Sequence, residues 1–243
     1  MLTGRPSKGD LIIVAGGDEA GRGAVLGPLV IGVVSMKAGK VAKLAKIGVR
    51  DSKLLTARKR EFLYREIESL AEEVKHYSIS PLEINNAMRS NISLNELEAI
   101  CVSRLIDSLG EVDEIYLDSP DVIQERFGMR VSVLSRKPIR VKGAKRTPKK
   151  ENEIKVISEH KADIRYPIVS AASIIAKVTR DREIERISDT LGIEIGSGYA
   201  SDSKTVSMIK KNLKNDSLLP YLREYWKTMK GIRQLRISEF LEG

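Results

Sequence analysis

Cysteine is almost absent from this chain of 243 residues: Cys101 stands alone. One thiol can build neither an internal disulfide framework nor a thiolate zinc site. On the apolar side of a predicted helix it reads as a small core residue. Histidine is nearly as scarce, with only His76 and His160, which argues against a histidine-rich transition-metal centre. No apolar run reaches the length of a membrane-spanning helix, and the opening MLTGRPSKGD is too polar for a secretory signal. No serine sits in a G-x-S-x-G elbow, so a serine-type hydrolase has little support. No internal repeat is present. These absences point to a soluble, cytoplasmic protein with no membrane association, and 42% hydrophobic residues are enough for a substantial core.

Charge is plentiful and unevenly placed. The net charge is +9, and the segment 136–150, RKPIRVKGAKRTPKK, holds eight Lys/Arg and no acid. Without it the chain carries 34 basic and 33 acidic residues. A second basic stretch, 203–236, has nine Lys/Arg against two acids and includes Tyr221, Tyr225 and the only tryptophan, Trp226. Clustered cations are the footprint of a polyphosphate partner, although a solvated surface gives the same pattern. The 136–150 stretch is expected to be a mobile loop.

Hydrophobic patterning predicts an α/β protein. LIIVAGG and VLGPLVIGVVSM read as buried strands and TARKREFLYREIESLAEEV as a helix, with HYSISP as a short strand. ISLNELEAICVSRLIDSLG opens on a capping box, Ser93 with Glu96, and closes at Gly110. VDEIYLDSPD is a strand entering a turn, and VSVLSR is read as a further strand. A long helix follows from YPIVSAAS, with Ser170 as its expected cap and Gly192 as its stop. Its Ala171, Ala172 and Ala176 permit close approach to a sheet. The expected partition is a core over 10–192 and a helical C-terminal region over 193–243.

Two carboxylates interrupt the apolar pattern in GGDEAGRG. A phosphate loop does not fit, because Arg22 and Gly23 replace the lysine and hydroxyl residue, and Asp18 and Glu19 would face the phosphates. A dinucleotide fingerprint also fails, because residue 26 is Leu. A solvated turn remains the plain alternative. Asp118 ends a second apolar strand, EIYLD. Neighbouring strands lie roughly 4.8 Å apart, so two strand-end acids can meet and repel unless a proton or a metal intervenes. An all-oxygen donor set suits Mg²⁺ or Mn²⁺.

The segments GGDEAGRGAVLGPLV, VRDSKLLT, SLNELE, YLDSPD, HKAD…PIVSAASIIAKVTRDRE and GSGYASD occur in the order found in ribonuclease HII. Over residues 11 to 204 the chain resembles an archaeal-type member of that family. The resemblance implies a ribonuclease H-like mixed five-stranded sheet flanked by helices, with a helical C-terminal extension. It implies a monomeric endonuclease for RNA–DNA hybrids and for ribonucleotides embedded in duplex DNA. It also places a four-acid set on Asp18, Glu19, Asp118 and Asp163. Asp181 is the alternative fourth acid, and Asp121 is read as a turn residue. Gly17 and Ala24 depart from the usual pattern, and the interval from Asp118 to Asp163 is longer than usual.

The expected mechanism is two-metal hydrolysis, one cation activating water and the other stabilising the leaving 3′-oxygen. The resemblance implies products with 5′-phosphate and 3′-hydroxyl ends. Selectivity must then come from the 2′-hydroxyl. Gly21 and Gly23 are expected to let backbone approach the sugar, with Arg22 reaching sugar or phosphate oxygens. Lys53 is a candidate phosphate contact. Tyr199 in GSGYASD is expected to read the ribonucleotide junction, the alternative being a core tyrosine. A silent hybrid-binding protein, or a same-fold nuclease that needs no 2′-hydroxyl, are the competing functions.

Overall fold

The computed structural model describes residues 12–49, 55–144 and 152–231. Along the chain run β1 (Ile13–Ala20), β2 (Leu29–Lys37), α1 (Val41–Ile47), α2 (Ala57–Leu70), β3 (Glu73–Ile79), α3 (Pro81–Arg89), α4 (Leu94–Ser108), β4 (Glu114–Asp118), α5 (Gln124–Leu134), β5 (Ile139–Val141), β6 (Ile154–Glu159), α6 (Ala162–Arg165), α7 (Pro167–Leu191) and α8 (Ser203–Lys211). By contacts the chain divides into two compact units interleaved in sequence. Among the described residues the first draws on those within 12–20, 31–77 and 95–178, the second on those within 21–30, 78–94 and 179–231. The division is not a single cut at residue 192, because β2, β3 and α7 each run through both units.

The first unit is built on a sheet of order β3-β2-β1-β4-β6-β5. The pairs β1–β4, β4–β6 and β6–β5 are parallel, so their C-terminal ends share one edge. Leu63, Tyr64 and Ile67 of α2 pack in one cluster with Val14, Val34 and Met36 and with Ile168, Val169, Ala171 and Ala172 of α7. The approach of α7 is too close for side chains on two strand residues. A Cβ on Gly16 would overlap the Ile168 carbonyl, and one on Gly32 would lie 2.6 Å from the Ala172 carbonyl and 3.1 Å from the Ala176 nitrogen. The small face of α7 therefore does what its alanines suggested.

Several expectations are corrected. Among the described residues the sheet has six strands rather than five, because the short β5 adds to its edge beside β6. Residues 139–141 of the basic segment are thus strand, not loop, and residues 145–150 lie outside the described residues. VSVLSR is not a strand. Val131 to Leu134 end α5, whose buried residues Phe127, Gly128 and Val131 have helical spacing. Val133, on the opposite side, is 84% exposed. Ser170 does not cap α7; it lies inside the helix, and its hydroxyl donates to the Asp163 carbonyl. The helix starts instead at Pro167, where the missing N–H costs nothing.

The second unit has its own core of Val25, Leu26, Ile184, Ile187, Ile195, Met208, Ile209, Leu218, Leu222 and Met229. Helix α3 enters through a capping box, Ser80 with Glu83. Its buried Asn85 donates to the Leu222 carbonyl (2.9 Å) and accepts from the Glu224 N–H (2.9 Å). Among the described residues no helix is long and apolar enough to cross a membrane.

Candidate active site

In the first unit, Asp18 and Glu19 lie inside β1 rather than in a turn after it. The β1–β4 register runs from Val14↔Glu114 to Gly17↔Leu117, so Asp18 and Asp118 each follow a paired residue at the same sheet edge. Asp118 is in turn paired with Glu159 of β6. Asp163 comes from another element. Beyond β6 the His160 N–H donates to Gln124 Oε1 (3.1 Å), and the His160 ring bonds the Asp121 carbonyl (2.7 Å). Lys161 adopts a left-handed conformation, φ +56°. The Ala162 N–H then donates to Asp118 Oδ1 (2.8 Å), tying the helix that carries Asp163 to the end of β4.

Asp18 is 8% exposed and Asp163 7%. Burial, then the charge of Glu19, and then that of Asp118 push the Asp18 carboxyl well above the usual carboxylate range. Hydrogen bonds from Ser173 and from the Glu19 N–H (2.8 Å) oppose this without cancelling it. Asp18, Glu19 and Asp118 line a small cavity with Gly17, Ile31, Leu117, Phe127 and Glu98. Glu98 of α4 is a fully buried acid that the sequence reading passed over. Its signal was its place on the apolar stripe of α4, at i+4 from Leu94 and i−4 from Val102.

Among the described residues no group of three or more His, Cys, Asp or Glu side chains is gathered closely enough to hold a metal ion without further ligands. Asp18, Glu19 and Asp118 share one small cavity, whose lining does not include Asp163. That suits Mg²⁺ or Mn²⁺, which keep water and take few protein carboxylates alongside substrate phosphates. A buried carboxyl destabilised by its neighbours' negative charge is what a bound cation relieves. The donor set therefore fits a hard divalent ion.

Asp121 is a structural residue of the turn after β4. It is buried, accepts from Asn95 and pairs with Arg130 (3.2 Å). Asp181, the alternative fourth acid, is exposed and belongs to the second unit. Lys53 lies outside the described residues.

The second unit brings GRG and GSGY together. The Ala24 N–H donates to the Gly21 carbonyl (3.1 Å), closing a turn with Arg22 and Gly23 at its tip. The Val25 and Leu26 N–H groups both reach the Gly198 carbonyl (2.9 and 3.1 Å), and Ala24 bridges to Tyr199. The two glycines of GRG differ. Gly21 is buried at φ +90°, against Arg180 and the Pro28 carbonyl, so packing and dihedral both require glycine. Gly23 is exposed, with no atom within 4 Å of where a Cβ would stand, so it alone presents open backbone. Tyr199 is half-buried, and its ring lies over the buried guanidinium of Arg180, 4.4 Å from the ring centroid. Arg180 Nη2 donates to the Ser197 carbonyl (2.8 Å). Asp202 caps α8 and accepts from the Ser197 N–H (2.7 Å) and hydroxyl (2.8 Å), which holds the loop before Tyr199.

Comparison with known proteins gives the family of the chain. The family model described as Ribonuclease HII matches residues 15–229. Ribonuclease HII of Methanosarcina acetivorans is 39% identical, covering 92% of this chain and 96% of its own. That of Pyrococcus abyssi is 40% identical, covering 94% and 97%. The crystal structure of the ribonuclease H2 from Pyrococcus horikoshii matches with TM-score 0.79 at 39% identity, over 92% of this chain and 98% of that one. The ribonuclease HII of the Archaeoglobus fulgidus PCNA:RNase HII complex matches with TM-score 0.75 at 36% identity, over 89% and 96%. A manganese complex of Bst-RNase HIII, 20% identical with TM-score 0.73 over 94% of this chain and 71% of that one, shares the fold. The chain therefore belongs to the ribonuclease HII family, metal-dependent endoribonucleases that act on the RNA of RNA–DNA hybrids.

Proposed function

We propose that this protein cleaves the RNA strand of hybrids and also cuts at single ribonucleotides embedded in duplex DNA, by two-metal hydrolysis that leaves 5′-phosphate and 3′-hydroxyl ends. The observation that carries the reading is the row of Asp18, Glu19 and Asp118, in which burial and mutual charge raise Asp18 well above the usual range. Asp18, Glu19, Asp118 and Asp163 are the residues that would hold Mg²⁺ or Mn²⁺. When bound, the cations supply Lewis-acid activation of water and stabilisation of the leaving oxygen. The chain's own part is to fix four carboxylates: by strand register for Asp18, Glu19 and Asp118, and by the Ala162–Asp118 hydrogen bond for Asp163.

Substrate choice falls to the second unit. Tyr199 offers a ring for stacking on sugar or base and a hydroxyl for the 2′-hydroxyl or a phosphate. The Arg22–Gly23 tip offers exposed backbone beside a forked cation. Lys53 is retained as a phosphate contact. The protein acts as a monomer in the cytoplasm, and the A. fulgidus complex supports a PCNA-type partner for this chain as well. The test uses three duplexes of one sequence: an RNA–DNA hybrid, a DNA duplex with one ribonucleotide, and all DNA. Metal-dependent cutting of the first two and none of the third is expected. Cutting of the all-DNA duplex would mean that the 2′-hydroxyl is not read.

A further inference from the structure

The turn that carries Arg22 and Gly23 is held by a residue with no role so far. Arg223 is the largest fully buried side chain among the described residues, at 0% exposure. Its Nε donates to the Gly27 carbonyl (3.0 Å) and its Nη1 to the Arg22 carbonyl (3.2 Å). Its own N–H donates to the Val25 carbonyl (2.9 Å), and its guanidinium lies 5.1 Å from the centroid of the Trp226 ring. One side chain thus grips both ends of the Arg22–Gly27 segment. An apolar residue could fill the same space, but it would leave two inward carbonyls without these donors.

The grip on the Arg22 carbonyl has a consequence for Gly23. The peptide joining Arg22 to Gly23 is planar and trans, so its C=O and N–H point in opposite directions. Arg223 holds the C=O inward. The N–H of Gly23 is thereby turned outward, at a residue whose surroundings are open. A fixed outward N–H beside a cation is a donor for an anionic or hydroxyl oxygen.

We propose that Arg223 is a positioning residue that sets the Arg22–Gly23 peptide so that the Gly23 N–H meets an oxygen of the ribonucleotide. This rests on the reading of the GRG tip as the part of the protein that meets the ribose. Arg22 and Gly23 make the contact, and Arg223 acts through them. Lysine is the discriminating replacement, because it keeps charge and length but cannot reach both carbonyls with a rigid fork.

The experiment compares wild type with Arg223→Lys on a duplex containing one ribonucleotide and on the matching all-DNA duplex. It measures kcat, KM, all-DNA binding across a salt series, and Tm. For folded Arg223→Lys, kcat/KM on the ribonucleotide duplex is expected to fall about 10²-fold, as a small misplacement allows. All-DNA binding and its salt slope should stay as in wild type. Normal kcat/KM per folded molecule, or an equal loss of all-DNA binding, would overturn the proposal. If Arg223→Lys does not fold, a backbone ester at position 23 decides, since it replaces the Gly23 N–H by oxygen and keeps every side chain. The same loss upholds the proposal, and normal cleavage by the ester overturns it. A wild-type enzyme that does not prefer the ribonucleotide duplex would instead overturn the functional reading. To separate the two oxygens, binding, which does not require cleavage, is also compared on the ribonucleotide duplex and on its 2′-fluoro analogue. An Arg223→Lys binding defect that persists on the analogue assigns the N–H to phosphate, and one that vanishes assigns it to the 2′-hydroxyl.

Discussion

Arg180 and Tyr199 face each other as cation and ring, with the guanidinium carbon 4.4 Å from the ring centroid. The cation is buried and the tyrosine is half-exposed, so the pair fixes one face of Tyr199 while part of the residue stays accessible. Tyr199→Ala should therefore lower cleavage at a single embedded ribonucleotide by roughly 10- to 100-fold, the equivalent of losing a base- or sugar-stacking ring. Its Tm should drop by only a few degrees. Tyr199→Phe separates the hydroxyl from the ring. A sharp fall in Tm with normal cleavage by the folded fraction would make the tyrosine structural.

Asp18→Asn and Asp118→Asn should each abolish metal-dependent cleavage while circular dichroism stays unchanged. For Asp18 the pH dependence of stability carries a sign. Its carboxyl is raised in the folded, metal-free protein, so the folded state binds that proton more tightly than the unfolded chain does. The stabilisation is full below about pH 4, the unfolded value, and is lost as pH rises through the raised value. Metal-free Tm should thus decline on that rise in wild type and less in Asp18→Asn. Mg²⁺ or Mn²⁺ should raise the Tm of wild type at neutral pH and leave that of Asp18→Asn unchanged. An identical Tm-against-pH profile in both proteins would contradict the assignment.

Asp202 has the opposite sign. Hydrogen bonds from Ser197, Lys204 and Thr205 hold its carboxyl well below the usual range. Its contribution is full above the unfolded value near pH 4 and is lost only as pH falls through the lowered value. Asp202→Asn should reduce Tm at neutral pH, and the difference from wild type should shrink on strong acidification. A difference that does not change with pH would show that the charge is not involved.

Because β5 belongs to the sheet, only residues 143–150 should be exchanged for a Gly/Ser linker when the basic segment is tested. The exchange removes Lys145, Arg146, Lys149 and Lys150. Each lost phosphate contact should flatten the log–log salt dependence of duplex binding by about 0.9. The position of cleavage should not move. A binding slope equal to that of wild type would show that these cations do not touch nucleic acid.

Glycine substitutions should separate folding from substrate contact. Gly16→Ala drives a methyl group into the backbone of α7 and should cost about 1–3 kcal/mol or more of stability. Gly23→Ala meets open space and should stay within about 0.5 kcal/mol of wild type. It should nevertheless reduce cleavage, because the added methyl stands where substrate approaches. Chemical denaturation and kinetics on the same samples test both, and full activity in Gly23→Ala would remove that glycine from the contact surface.

The amino-acid sequence by itself determined the fold class, the order of its chief elements and the family, because those depend on local pattern. Continuous apolar runs marked β1, β2 and β4, capping and spacing marked α4, and motif order marked the family. The acids Asp18, Glu19 and Asp118 were legible because carboxylates at the ends of apolar strands break a one-dimensional pattern. Tertiary structure decided what depends on partners distant in the chain. VSVLSR alternates like a strand, yet packing buries Phe127, Gly128 and Val131 on one helical face and leaves Val133 in solvent. The three residues of β5 are too few to show a period, and the ladder with β6 alone makes them a strand. Gly21 and Gly23 look alike in sequence, but only the buried neighbours of Gly21 and the open space around Gly23 distinguish a packing glycine from an exposed one. Arg223 read as one cation in a basic stretch. Its burial, and its hold on carbonyls some 200 positions earlier in the chain, exist only once the chain has folded back on itself.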